Sequence, residues 1–173
     1  MKKLIIAAVA AMFGIAVQAA QVNWSVNAIQ PPTGETVTAG WIVQIYDSSV
    51  AFDYAKAAAE EITPWASGAT VAAGTAFRAA GSTELANGTS KNIYAVIYDA
   101  TSIAAAQNYI VSDVITISAP ANGAAVPAAF GSMVATTTAN KFLNATWTAA
   151  PEPTSGLLLL LGVAGLALKR KHA

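Results

Sequence analysis

The chain has 173 residues, is 55% hydrophobic, and balances nine Lys and Arg against nine Asp and Glu. It contains no Cys and a single His, His172. Disulfides are therefore excluded, and the chain ahead of its last two residues has no Cys-His or Ser-His-Asp catalysis and no His- or Cys-ligated zinc available to it.

The N-terminus carries Lys2 and Lys3, then an apolar stretch from Leu4 to Val17, then Val17-Gln18-Ala19. A positive n-region, an apolar h-region and small residues at the cleavage positions make up a secretory signal peptide. Signal peptide 1–19 is expected to be cut by signal peptidase after passage through the export translocon. The cut falls after Ala19, with the bond after Ala20 as the alternative.

Residues 20–150 form one exported β-rich domain, long enough for a single core. Lys56, Arg78, Lys91 and Lys141 face eight acids there, a net charge of −4. That balance argues against nucleic acid as a partner.

In chain order, Gln21 to Ile29 alternates with Val22, Trp24, Val26 and Ala28 on one face, the period-two pattern of a half-buried strand. Trp41 to Tyr46 reads as a more buried strand after the Pro31-Pro32-Thr33-Gly34 break. Ser49 to Ile62 is expected to hold a short helix ended by Pro64, although Glu60 and Glu61 near its C-terminus oppose the helix dipole. Val71 to Ala80 fits no single pattern. Asn87-Gly88 is a turn signal before a strand over Lys91 to Ala100. A second short helix is expected around Ala104 to Ala106, a strand over Val114 to Ile117, a loop over Ala119 to Ala129, and a last strand within Val134 to Thr148.

These elements predict a mainly β, sandwich-like fold with one or two short helices, a small α+β fold being the alternative. The segments 41–49 and 93–101 share Ile-Tyr-Asp, each before an Ala-rich stretch. Either a strand-plus-helix unit of about 50 residues is duplicated, or two similar core strands each end in an Asp-initiated turn.

The candidate sites of the domain are weak. Asp47, Asp53, Glu60, Glu61, Asp99 and Asp113 sit at turns and strand ends, without the spacing of a calcium loop. No metal site and no cofactor are expected. Trp24, Trp41, Trp65 and Trp147 with five Tyr supply material for a sugar-stacking platform, but aromatics alternating in strands are more often core. Three Asn-x-Ser/Thr matches, at Asn23, Asn87 and Asn144, are what chance produces in a Thr-rich chain.

The tail is the most specific segment. Pro151-Glu152-Pro153 precedes an apolar run, Gly156 to Leu168, and the cations Lys169, Arg170 and Lys171. As a helix, these 13 residues cover roughly 20 Å, less than a bilayer core of about 30 Å. The run has no polar face, and the snorkelling cations extend its reach and hold that end on the cytoplasmic side. The two prolines bias the motif away from helix, so the backbone outside the bilayer stays accessible.

The order of these parts resembles the PEP-CTERM sorting signal of exopolysaccharide-producing bacteria. In this chain the signal covers 151–173: motif 151–153, transmembrane helix 154–168 and basic tail 169–173. The resemblance implies an inner-membrane-anchored precursor, processing by an exosortase, and release or attachment at the outer surface or extracellular matrix, with exopolysaccharide as a candidate partner. No catalytic activity is expected. A carbohydrate-binding surface module and a simply anchored periplasmic protein are the alternatives.

Overall fold

A computed structural model describes residues 18–33 and 35–151. The expectations for Lys2 to Val17 and for Glu152, Pro153, Lys169, Arg170 and Lys171 lie outside the described residues. Among the described residues no helix is long and apolar enough to cross a membrane.

The strands in chain order are β1 (Ala19–Asn27), β2 (Ile42–Asp47), β3 (Ala66–Ala69), β4 (Val71–Ala73), β5 (Ala76–Ala86), β6 (Ser90–Tyr98), β7 (Asn108–Val111), β8 (Ile115–Ser118), β9 (Val126–Ser132) and β10 (Thr148–Ala149). One α-helix, α1 (Tyr54–Ala58), and one 3-10 turn at Ile103–Ala105 complete the described elements. The strands form two sheets, ordered β4-β5-β1-β9 and β10-β7-β6-β2-β3, with β8 also pairing β6. All pairs are antiparallel except β1 with β9. The expected sandwich is present.

The main core lies between the sheets. Val22, Trp24 and Val26 of β1 meet Val43 and Ile45 of β2 and Ile93, Ala95 and Ile97 of β6, all buried. The polar residues of β1 alternate out of that core, as period two requires. β6 is different: from Ile93 to Tyr98 both its faces are covered, so that stretch is an unbroken apolar run rather than an alternation. Its second face carries Tyr94, Val96 and Tyr98, which with Tyr46, Tyr54 and Ala106 make a smaller core outside the sandwich. The segments around α1 and the 3-10 turn cover that layer.

β2 and β6 are neighbours with Gln44 opposite Val96. In that register Ile45-Tyr46-Asp47 and Ile97-Tyr98-Asp99 occupy corresponding positions about the pair, at the same offset of 52 that separates the two tyrosines. Each strand runs into a helical segment and then into an outer antiparallel strand, β3 beside β2 and β7 beside β6. The centre of this sheet is therefore internally two-fold, as a doubled strand–helix–strand unit would be.

Several expectations are corrected. The helix within Ser49 to Ile62 is five residues, capped by the Asp53 carboxylate accepting from the Lys56 N–H at 3.1 Å. The second helix is a single 3-10 turn, because the chain must reach β7 at Asn108. Val71 to Ala80 resolves into β4 and the start of β5 around Gly74. The expected Asn87-Gly88 turn is present before β6, and it carries the chain from one sheet to the other, since β5 pairs β1 and β6 pairs β2. The loop over Ala119 to Ala129 stops at Val126, where β9 begins; its Pro127 is tolerated because β9 is an edge strand. Of Val134 to Thr148 only Thr148 enters a strand, and the rest packs through Phe142.

Candidate functional site

The outer layer of the β2–β6 sheet borders a concavity of the described residues. Along β2 the side chains of Ile42, Gln44 and Tyr46 share the face turned away from the sandwich core, one every second residue. Tyr46 and Tyr98 fill its centre. Both hydroxyls donate to the Gln44 Oε1, Tyr98 from 3.3 Å, and they lie 3.2 Å from each other. Tyr54 donates to the carbonyls of Ile103 at 2.5 Å and Ala106 at 3.2 Å, tying α1 to the 3-10 turn. Tyr94 donates to the Val50 carbonyl at 2.8 Å. Every one of these hydroxyls has an internal partner. Burial holds the Tyr46 and Tyr54 hydroxyls above their ordinary range, pushes Tyr98 far above it, and raises Tyr94 to about 12.

Beside this layer, α1 and the loop that follows it stand across from the 3-10 turn and leave a cleft of about 500 Å³. Ile42 and Gln44 are its strand residues; Ala57, Glu60, Ile62 and Pro64 line one wall, and Thr101 to Ala104 the other. The volume falls within the roughly 300–1,000 Å³ of small-molecule sites.

The cleft wall contains a backbone anomaly. α1 ends in a Schellman motif: the Glu60 N–H donates to the Ala57 carbonyl at 3.2 Å and the Glu61 N–H to the Lys56 carbonyl at 2.8 Å. The residue between the cap and the second bond must be left-handed, and here it is Glu60, at φ 59°. Glycine fills that position by default. A side chain with a Cβ costs about 1 kcal/mol or more there, and Glu lacks the short side chain that eases Asn or Asp into it.

The acids weighed from the sequence are scattered. Asp47 pairs with Lys91 and accepts from the Ser49 N–H at 2.9 Å and hydroxyl at 2.7 Å. The Lys91 ammonium, followed by those Ser49 bonds, holds its carboxyl well below the usual range. Asp53 caps α1. Asp99 accepts from the Gln107 N–H and from the Asn108 amide, both at 2.8 Å, and the same amide reaches Glu35 at 3.3 Å. Glu61 and Asp113 are exposed. Among the described residues no three Asp, Glu, His or Cys converge as metal ligands would.

The aromatic residues do not form a flat exposed surface. Trp24 and Trp41 are buried, Trp65 and Trp147 half-buried. Trp41 and Trp147 meet edge to face, with centroids 6.0 Å apart and planes at 76°. Trp65 is capped by the Lys91 ammonium 5.7 Å from its ring. Of the processing positions, Ala19 opens β1 exposed and Ala20 is buried. At the other end the Ala150 N–H donates to the Gln107 carbonyl at 2.7 Å, and Pro151 is exposed.

Gln44 and Glu60 were not singled out together from sequence. The available signal was the acidic pair at the end of a helix, where the dipole favours cations.

No family model, no curated protein and no solved structure matches the chain. The described residues form a two-sheet β-sandwich with an aromatic outer layer and a side cleft.

Proposed function

We propose that the chain is an exported surface or matrix protein, sorted by an exosortase through Pro151-Glu152-Pro153, whose folded body performs no catalysis. The carrying observation is the order of motif, apolar run and cationic cluster Lys169-Arg170-Lys171, paired with a signal peptide at the other end. Two structural facts support it. Among the described residues the last backbone hydrogen bond is made by Ala150, so the folded body ends next to the motif, while at the other end a cut after Ala19 removes the first β1 residue and the Gln18 carbonyl that accepts from the Asn87 N–H. Pro151 is exposed directly after Ala150, which leaves the start of the motif accessible to an enzyme.

In this reading the precursor is held in the inner membrane by 154–168 and the body faces away from the cytoplasm. Glu152 is the acidic handle between two conformationally fixed neighbours. The test is replacement of Pro151, Glu152 and Pro153 by alanine in the native host, followed by intact mass and cell fractionation. Processing stops and the precursor accumulates in the inner membrane. A variant with the same mature mass and location as the parent overturns the reading.

A further inference from the structure

We propose that the cleft between α1 and the 3-10 turn binds one neutral, polyhydroxylated ring, a sugar residue, with the Gln44 amide donating and the Glu60 carboxylate accepting. This does not rest on the sorting proposal, and neither fails with the other.

Gln44 supplies the first argument. Its Oε1 is taken by the Tyr46 and Tyr98 hydroxyls, which fixes the amide plane. The Nε2 donors occupy the opposite branch of that plane and remain for the cleft that Gln44 lines. Two buried tyrosines are thus spent on aiming one amide, the arrangement by which a buried layer pre-organises a binding group.

Glu60 supplies the second. It occupies a left-handed position that glycine fills without strain, and it lines the same cleft. A left-handed Glu is an outlier of the kind from which a use for the side chain can be inferred.

The lining then selects the ligand by its chemistry. No Lys or Arg lines the cleft, so an anion meets only Glu60 and is repelled. Glu60 is also its sole acid, too few oxygen ligands for a divalent cation. A purely apolar ligand strands both the amide and the carboxylate without partners. A sugar hydroxyl donates and accepts at once, which matches a cleft lined by both an amide and a carboxylate, with the Thr63, Thr101 and Ser102 hydroxyls at the rim. Ile42, Ile62 and Ile103 offer apolar wall to the C–H face of the ring.

The experiment is an amide-resolved NMR titration of the purified full chain. The probes are the methyl glycosides of glucose, galactose and mannose, plus N-acetylglucosamine, with glucosamine and glucuronate as charged controls. At least one neutral probe is expected to shift the amides of Gln44, Glu60 to Thr63 and Thr101 to Ala104, with a dissociation constant of roughly millimolar order, as a dozen heavy atoms allow. Glu60→Gly separates binding from structure: it is expected to raise the thermal midpoint while weakening the neutral probe at least about tenfold. Ser102→Ala, at an exposed rim position, is a second variant expected to weaken the probe with the fold intact. The proposal is overturned if no neutral probe moves these amides at about 50 mM, well above millimolar affinity, or if Glu60→Gly binds as well as the parent. Binding of glucosamine alone also overturns it, since that identifies a cation site.

Discussion

Trp24 is the largest fully buried side chain of the sandwich, 1% exposed, and two glycines make its place. It stands on β1 opposite Gly81 of β5, and its ring extends over Gly68 of β3 in the other sheet. A Cβ built on Gly81 falls 2.8 Å from Trp24 Cζ2 and 2.9 Å from both Cε2 and Nε1. One on Gly68 falls 2.8 Å from Cη2. Because both glycines touch the same ring, it cannot retreat from one without closing on the other. Gly81→Ala therefore overpacks a site with no slack, at a cost of about 1–3 kcal/mol. For a domain of about 130 residues, with an unfolding entropy of about 2.1 cal/mol/K per residue, a mid-range 2 kcal/mol lowers Tm by roughly 7 °C. The assay is urea unfolding followed by far-UV circular dichroism, run as a cycle with Trp24→Phe. Phe lacks the Cζ2 and Nε1 atoms that meet the new Cβ, so in that background the Gly81→Ala penalty is expected to fall below about 0.5 kcal/mol. An equal penalty in both backgrounds refutes the contact and locates the cost in the β5 backbone instead.

Two further outcomes follow from the same geometry. The outer tyrosine layer is expected to make the protein alkali-sensitive. Burial raises the hydroxyls of Tyr46, Tyr94 and Tyr98, Tyr94 to about 12, above an unfolded value near 10. The fold thus favours the neutral phenols; their contribution is complete below pH 10 and is lost as pH rises from about 10 to 12 and beyond. Thermal melts from pH 8 to 12 check this, and a midpoint flat to pH 12 contradicts it. Gly131 and Gly74 provide a contrast at positive φ, 80° and 66°. A Cβ on Gly131 falls 2.0 Å from the Ala139 carbonyl oxygen, whereas one on Gly74 meets nothing within 4 Å. Gly74→Ala is expected to cost about 1 kcal/mol, the left-handed penalty alone, and Gly131→Ala more than about 3 kcal/mol, by denaturant titration. Similar losses at both sites argue against the β9 contact.

What could be read from the sequence follows from where each element's burial comes from. β1 is legible because Val22, Trp24 and Val26 enter one core while Gln21, Asn23 and Asn27 meet solvent. β6 is legible for the opposite reason, since from Ile93 to Tyr98 both its faces are covered and the apolar run is unbroken. β5 is not, because its burial is supplied from elsewhere: Ala79 and Gly81 are small so that β1 and the Trp24 ring can lie against them. No property of Ala76–Ala86 alone records that. β9 is hidden by Pro127 and Gly131, residues that read as loop: Pro127 is tolerated because the strand is an edge, and Gly131 sits at positive φ where the Ala139 carbonyl leaves no room for a Cβ.

The cleft belongs with β5 rather than with β1. Nothing in Ile42-Val43-Gln44-Ile45 shows that Gln44 will face two tyrosines, because Tyr98 arrives 54 residues later. Yet Glu60 left a trace. An acid at the negative end of a helix, in a position glycine would fill, disagrees with local physics twice. Natural sequences agree with local rules over most of their length, and their departures gather where something other than stability is being selected. Of the eight acids in the domain, Asp47, Asp53 and Asp99 bond backbone N–H groups at turns and caps, as Asp ordinarily does. Glu60 is the acid that lines the cleft, and it does so from a left-handed position. That position, more than the cleft's volume, makes the α1 terminus the place to look for what the folded body binds.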